Sequence, residues 1–376
     1  MESLAKRQLS NGLESFVNKK YDEAINTLKR AVSLAPLSST ATQAYDYMAK
    51  SYLSKGNSQA AIESYQQSLR SNPTNADSYL ALGNIYVTEN QIDKAQSMYE
   101  QAVRLEGSAA NRYSLGQAYL EGGQYEAAVA QFKLVKQQVP TEPNGDYGLG
   151  LAYAKQGKTD EAISAFRQAI SLQKDFWDAH VELGYALMDA GEKDKAQEVA
   201  DTLSDNTAST DLAGTLNQYI YEKTPAEMMS VYAASTFQRT LGAGTKVADL
   251  GDYLVDAGGQ QTFSMVFQFS KQMDESSIEN VRNWSITRSL NTGRGDAYNF
   301  GIVLPSTEVS LSRYPVSVSY NAEDQTATVL FRVDQNATAD GTIDPAHIKF
   351  SFSGTDVLGI AMNPKADQYS GFNGFA

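Results

Sequence analysis

The 376-residue chain has no cysteine and two histidines. Without cysteine there are no disulfides and no thiolate metal sites, and two isolated histidines do not make a zinc site. No apolar run reaches the roughly 18 residues of a membrane-spanning helix. Basic charge is scarce as well: 31 Lys and Arg face 44 Asp and Glu, for a net charge of -13. Nucleic acid attracts a basic face, so it is not an expected partner, and the acidity is read first as solubility. Behind Lys6 and Arg7 the N-terminal segment lacks an apolar core, so no cleavable signal peptide is expected there.

What is present is a period. Ala24, Ala61, Ala95, Ala128, Ala162 and Ala196 stand 37, 34, 33, 34 and 34 residues apart. Twelve residues before each lies a small residue: Gly12, Ala49, Gly83, Gly116, Gly150 and Gly184. Four residues after the alanines come Leu28, Tyr65, Tyr99, Phe132 and Phe166, with Ala200 as the sixth. Tyr52, Tyr86, Tyr119 and Tyr153 form a further column, and Pro36, Pro73 and Pro140 follow three of the second helices. Small columns let two helices approach, and large columns fill the space between hairpins. No such hairpin buries its apolar face alone, so neighbours must stack.

The segments YDEAINTLKRAVSLAP (21–36), YLALGNIYVTENQIDKAQSMYEQAV (79–103) and YGLGLAYAKQGKTDEAISAFRQAI (147–170) resemble the tetratricopeptide repeat family over residues 5–204. The resemblance implies an all-α solenoid of about six helical hairpins. The first repeat departs from it at Asn11 and Ser15, and the sixth at Leu187 and Ala200.

Composition changes after residue 204. SDNTAST (204–210) reads as a loop and DLAGTLNQYIYE (211–222) as a capping helix, and Thr224-Pro225 marks a boundary. The expected division is an array over 1–204, a capping helix and linker over 205–225, and an all-β domain over 226–376. There the period falls to two. Phe263, Met265, Phe267 and Phe269 share one face of QTFSMVFQFS (261–270). PVSVSY (315–320), TATVLFRV (326–333) and HIKFSFSG (347–354) alternate likewise, and NAEDQ (321–325) is expected to close a hairpin. Trp284 and Ile286 mark another strand, and SVYAASTF (230–237) is the expected first strand. Short alternating strands with turn signals predict an antiparallel sandwich.

FSMVFQFSKQMDESSIENVRNWSI (263–286) and SGTDVLGIAMNPKADQYSGF (353–372) resemble the immunoglobulin-like modules of bacterial surface-layer and adhesin-type proteins. The resemblance implies a stalk or packing unit and a bacterial cell-surface location, whereas the missing signal peptide points to the cytoplasm.

No catalytic residue and no cofactor is expected. His180 reads as a packed or half-exposed array residue and His347 as a partly exposed strand-edge residue, with no nucleophile-and-base set beside either. LGAGTK (241–246) reads as a loop, not a phosphate cradle. Asp334, Asp340 and Asp344 lack calcium-loop spacing. Arg294-Gly295-Asp296 matches an adhesion tripeptide by letter only.

The site expected from the family resemblance is the concave face lined by the first helix of each hairpin. Mapped onto this chain it comprises Leu80, Asn84, Tyr113, Gln117, Tyr147, Leu151, Tyr185 and Met188. Rings give contact area and amides satisfy the backbone of an extended or helical peptide. The same tyrosines could instead fill gaps between neighbouring first helices, and the two readings stand level. Leu9 and Leu13 occupy the columns where the family's carboxylate clamp needs Lys and Asn, which argues against an acidic C-terminal peptide. The expected function is a non-enzymatic scaffold that binds a protein or peptide, its β-domain packing in an envelope or filamentous assembly. Head-to-tail self-association is one version of it. The alternative is an export or assembly chaperone holding a hydrophobic segment of an unassembled subunit.

Overall fold

The computed structural model describes residues 1–231, 235–237, 241–242, 244–288 and 305–370. Arg294-Gly295-Asp296 lies outside the described residues. The chain forms two compact units, Met1–Ile220 and Tyr221–Ala376.

The first unit is helical. Six hairpins pair α1 (Glu2–Val17) with α2 (Tyr21–Leu34), α3 (Ser39–Ser54) with α4 (Ser58–Ser71), and α5 (Ala76–Thr88) with α6 (Ile92–Leu105). They continue with α7 (Ala109–Glu121) and α8 (Tyr125–Gln138), α9 (Asn144–Lys155) and α10 (Thr159–Leu172), then α11 (Trp177–Asp189) and α12 (Lys193–Ser204). A thirteenth helix, α13 (Thr210–Lys223), follows. The turn inside each hairpin needs one left-handed residue: Lys19, Gly56, Asn90, Gly123, Gly157 and Gly191 have φ between 56° and 76°. Four of the six are glycine, which takes this conformation without steric cost.

The periodic columns do the packing inferred from their sizes. All six alanines are fully buried. A Cβ on Gly12 would lie 2.7 Å from Leu28, and one on Gly116 2.7 Å from Phe132; those on Gly83 and Gly150 would overlap Tyr99 and Phe166. Each of these four glycines therefore receives the bulky residue of its own hairpin. Hairpin six differs, since its bulky column is Ala200. The space over Gly184 is filled by Leu216 of α13, itself fully buried. So α13 packs into the array's last core cluster, with Ala213, Leu216 and Ile220 beside Leu183, Leu187 and Leu203. At the other end Ser15, in the tyrosine column, is buried and donates to the Asn11 carbonyl at 3.0 Å.

The second unit holds small antiparallel sheets. Strands β1 (Met228–Val231), β2 (Thr245–Lys246), β3 (Gln260–Phe269), β4 (Trp284–Arg288), β5 (Ser317–Asn321), β6 (Thr326–Asp334), β7 (Thr342–Ile343), β8 (Ile348–Phe352) and β9 (Gln368–Ser370) form three of them, ordered β1-β3-β6-β5, β2-β7 and β4-β8-β9. β5 and β6 make the expected hairpin, pairing Asn321 with Thr326. The alternating aromatics converge on one core: the rings of Phe267 and Phe331 each lie 5.3 Å from Phe350, and Trp284 lies 4.7 Å from Phe352. Aromatic pairs at such separations add to the burial term. Trp284 donates from Nε1 to the Ile278 carbonyl at 2.7 Å, so its polar atom is satisfied inside the core.

Two strand expectations need correction. The first strand begins earlier than SVYAASTF, at Met228, and residues 232–234 fall outside the described set; Thr236 instead exchanges hydrogen bonds with Ser264 on β3. His347 is no partly exposed edge residue. It ends a 3-10 turn (Pro345–His347) and is buried, because Glu308 and Asp344 offer carboxylates to its ring.

Candidate partner-binding site

In the first unit α7, α9 and α11 lie side by side and expose a shared face. Helical spacing puts Tyr113 and Gln117 on it from α7, Tyr147 and Leu151 from α9, and Tyr185 and Met188 from α11. All six are half-buried, as is Leu80 on α5, while Asn84 is exposed. The inner half of each ring packs. Tyr113 lies 5.5 Å from Phe132, and Tyr147 lies 6.0 Å from Phe166 and 4.8 Å from Phe176. Tyr185 meets Tyr219 of α13 at 4.5 Å. Tyr113 thus packs within its own hairpin, Tyr147 within its own and against the start of the next, and Tyr185 against α13, and all three still present surface.

Their polar atoms are partly engaged. Gln117 donates to the Tyr113 hydroxyl at 2.9 Å, the Tyr99 hydroxyl donates to Asn84 Oδ1 at 2.7 Å, and the Tyr219 hydroxyl donates to Asp189 at 3.1 Å. Burial first, and then the nearby carboxylates of Glu182 and Asp178, push the Tyr147 phenol up. Tyr219 is pushed up to about 12 by burial, its bond to Asp189 and neighbouring charge.

The structure adds residues that repeat-column reasoning does not reach. Asp178, Glu182, Tyr185 and Asp189 follow one another at i, i+4, i+7 and i+11 on α11, a single stripe of the helix. Phe176 and Tyr219 extend the aromatic surface from a helix N-cap and from α13. The stripe spacing was present in the sequence; that α13 closes on Tyr185 was not.

Other charged groups read as structural. His180 Nε2 lies 2.9 Å from the Lys174 carbonyl and its ring 5.4 Å from Trp177. Glu192 pairs with Lys195 at 2.6 Å. In the second unit a cavity of about 400 Å³ is lined by Ile286, Arg288, Glu308, Arg313 and His347 among others. Glu308 Oε1 there lies 2.9 Å from both Arg288 Nη2 and His347 Nδ1. Asp344 lies 3.7 Å from the opposite ring nitrogen, Nε2, so the two carboxylates do not converge on one ligating atom. Asp340 binds Asn336 and Thr338 within its own loop. Among the described residues no three His, Asp or Glu side chains are grouped to hold a metal, and no helix is long and apolar enough to cross a membrane.

Family models for the tetratricopeptide repeat match residues 49–90, 80–143 and 147–208. A curated relative, the formate-dependent nitrite reductase complex bifunctional subunit NrfFG of Haemophilus influenzae, is 40% identical over 65 residues. That match covers 17% of this chain and spans 17% of the relative's length. Among solved structures, a tetratricopeptide repeat protein from Parabacteroides merdae superposes with a TM-score of 0.50 at 17% identity, covering 58% of this chain and 88% of that one. PilW, described as a type IV pilus biogenesis factor, gives a TM-score of 0.48 at 17% identity, over 57% of this chain and 98% of that one.

Proposed function

Taking the N-terminal half as a tetratricopeptide-repeat solenoid, we propose that this chain is a non-enzymatic scaffold whose first-helix face holds a segment of a partner chain. Repeat proteins of this kind are generally protein-interaction scaffolds. The observation that carries the reading is the run of half-buried rings, Tyr113, Tyr147 and Tyr185, across three consecutive hairpins. Rings fixed by packing on Phe132, Phe166 and Tyr219 offer contact area at little entropic cost on binding. The groove so defined is Leu80, Asn84, Tyr113, Gln117, Tyr147, Leu151, Tyr185 and Met188.

The second unit supplies, in this reading, an immunoglobulin-like packing module for an envelope or surface assembly. Its aromatic core between antiparallel sheets and the Asp356-x-x-Gly359 turn support that assignment, Gly359 having φ 79° and donating to the Asp356 carbonyl at 2.9 Å. Head-to-tail contact between copies is part of the same proposal, and light scattering over a concentration series checks it: a growing mass supports it, and a constant monomer mass removes it.

Site-specific photocrosslinking in the native host tests the groove. A photoreactive residue at Gln117 or Leu151 should capture one discrete partner. The same residue at Gln137, exposed on α8, should not. Equal capture from both positions would remove the groove from the account.

A further inference from the structure

The charge along α11 is lopsided. α11 (WDAHVELGYALMD) contains three carboxylates and no lysine or arginine, and all three lie on the stripe that carries Tyr185. Like charges at i and i+4 repel, so Asp178 and Glu182 weaken the helix they sit on. Asp189 is engaged by the Tyr219 hydroxyl and Asp178 is exposed. Glu182 is half-buried, and its carboxylate makes no hydrogen bond or ion pair among the described residues. Lys155, in the last turn of α9, is near enough to favour its charged form but makes no ion pair with it. Burial outweighs Lys155 and Asp178 adds to it, so the Glu182 carboxyl is pushed above its usual range. A half-buried, like-charged and unpaired carboxylate costs stability, and Lys155 offsets only part of that cost.

We infer that the occupant of this face is a basic segment, with a lysine or arginine side chain set against Glu182 and flanked by Tyr147 and Tyr185. A cation there gains a carboxylate and ring faces together, and tyrosine faces attract ammonium and guanidinium groups. The chain's own cations already use tyrosine this way: Lys50 lies 4.8 Å from the Tyr47 ring centre and Lys94 5.5 Å from that of Tyr86. Leu9 is buried and Leu13 half-buried, so neither first-repeat column offers a cation to an acidic peptide.

This inference rests on the groove reading, and three labelled dodecapeptides separate the two. They share leucine and alanine positions and differ only in carrying lysine, glutamine or glutamate at three sites. Anisotropy titration at low ionic strength should place the lysine peptide tightest, the preference shrinking as salt screens it. Glu182→Gln should weaken the lysine peptide about tenfold and leave the glutamine peptide unchanged. Glu161→Gln, an equal loss of charge at an exposed site on α10, should change the lysine peptide by less than about twofold. Tyr147→Ala should weaken both. A glutamine or glutamate peptide that binds as tightly as the lysine peptide, while remaining sensitive to Tyr147→Ala, overturns the basic occupant and leaves the groove standing. Equal losses from Glu182→Gln and Glu161→Gln also overturn it, since bulk charge then explains the preference. No binding by any peptide, or indifference to Tyr147→Ala, removes both claims. The melting temperature of Glu182→Gln should match or exceed that of the parent chain; a lower one marks the carboxylate as structural and overturns the assignment.

Discussion

At the scale of single residues, size complementarity decides the array. Gly150 must be small because Phe166 occupies the place of its side chain. Gly150→Leu should therefore destabilise the helical unit by ~1–3 kcal/mol, read as an earlier thermal transition. Ionisation gives a second check. Burial pushes the phenols of Tyr65, Tyr99 and Tyr119 up to about 12, and burial with Asp189 does the same for Tyr219. Their folded values lie above the unfolded value near 10, so the protonated phenols stabilise the fold fully below about pH 10. That contribution is lost as pH rises from about 10 through 12. Helical circular dichroism should hold to about pH 10 and fall above it, as tyrosinate absorbance at 295 nm rises toward pH 12. If Tyr65, Tyr99, Tyr119 and Tyr219 titrate near 10 with no loss of helix, the packing described is contradicted.

At the scale of elements, the periodic columns were legible because each acts within its own hairpin, and sequence spacing then equals spatial spacing. The alternating strands were legible for a similar reason: one buried face gives one period. Contacts that join distant segments were not. Ala200 marked an exception without saying what fills the gap, and the answer is Leu216, sixteen residues later on α13. Leu216→Ala should cost ~2–5 kcal/mol, since it leaves a cavity against Gly184 that a helix cannot readily close. Glu182 belongs to the same class, because a carboxylate in a helix reads as solvated surface until neighbouring helices half-bury it. The sharpest example joins the two ends of the β-unit. Lys271, at the end of the Phe-Ser-Lys segment, meets Asp356, first residue of the Asp-x-x-Gly turn, at 3.3 Å with both side chains almost fully buried. Asp356 also accepts from the amides of Leu358 and Ile360 at 2.9 Å, and Lys271 lies 4.5 Å from the Tyr221 ring centre. Lys271→Met should destabilise this unit by ~3–5 kcal/mol because it leaves a buried carboxylate without its cation. Removing both charges, as Lys271→Met with Asp356→Leu, should recover part of that loss in a chemical denaturation series.

At the scale of the molecule, two units with separate cores divide the work. The helical unit carries a long, half-buried aromatic surface with an acidic stripe. The β-unit packs its phenylalanines and Trp284 into one core, and its buried charges, Lys271 with Asp356 and Glu308 with Arg288 and His347, are compensated where they stand. On the reading proposed above, the helical unit meets another chain through the face that carries half-buried Glu182. Hydrogen exchange on the intact protein, with and without the lysine dodecapeptide, tests this most directly. The account predicts slowed exchange in α7, α9, α11 and α13, with α8, α10 and the β-unit unchanged. Protection confined to the second helices or to the β-unit would contradict it.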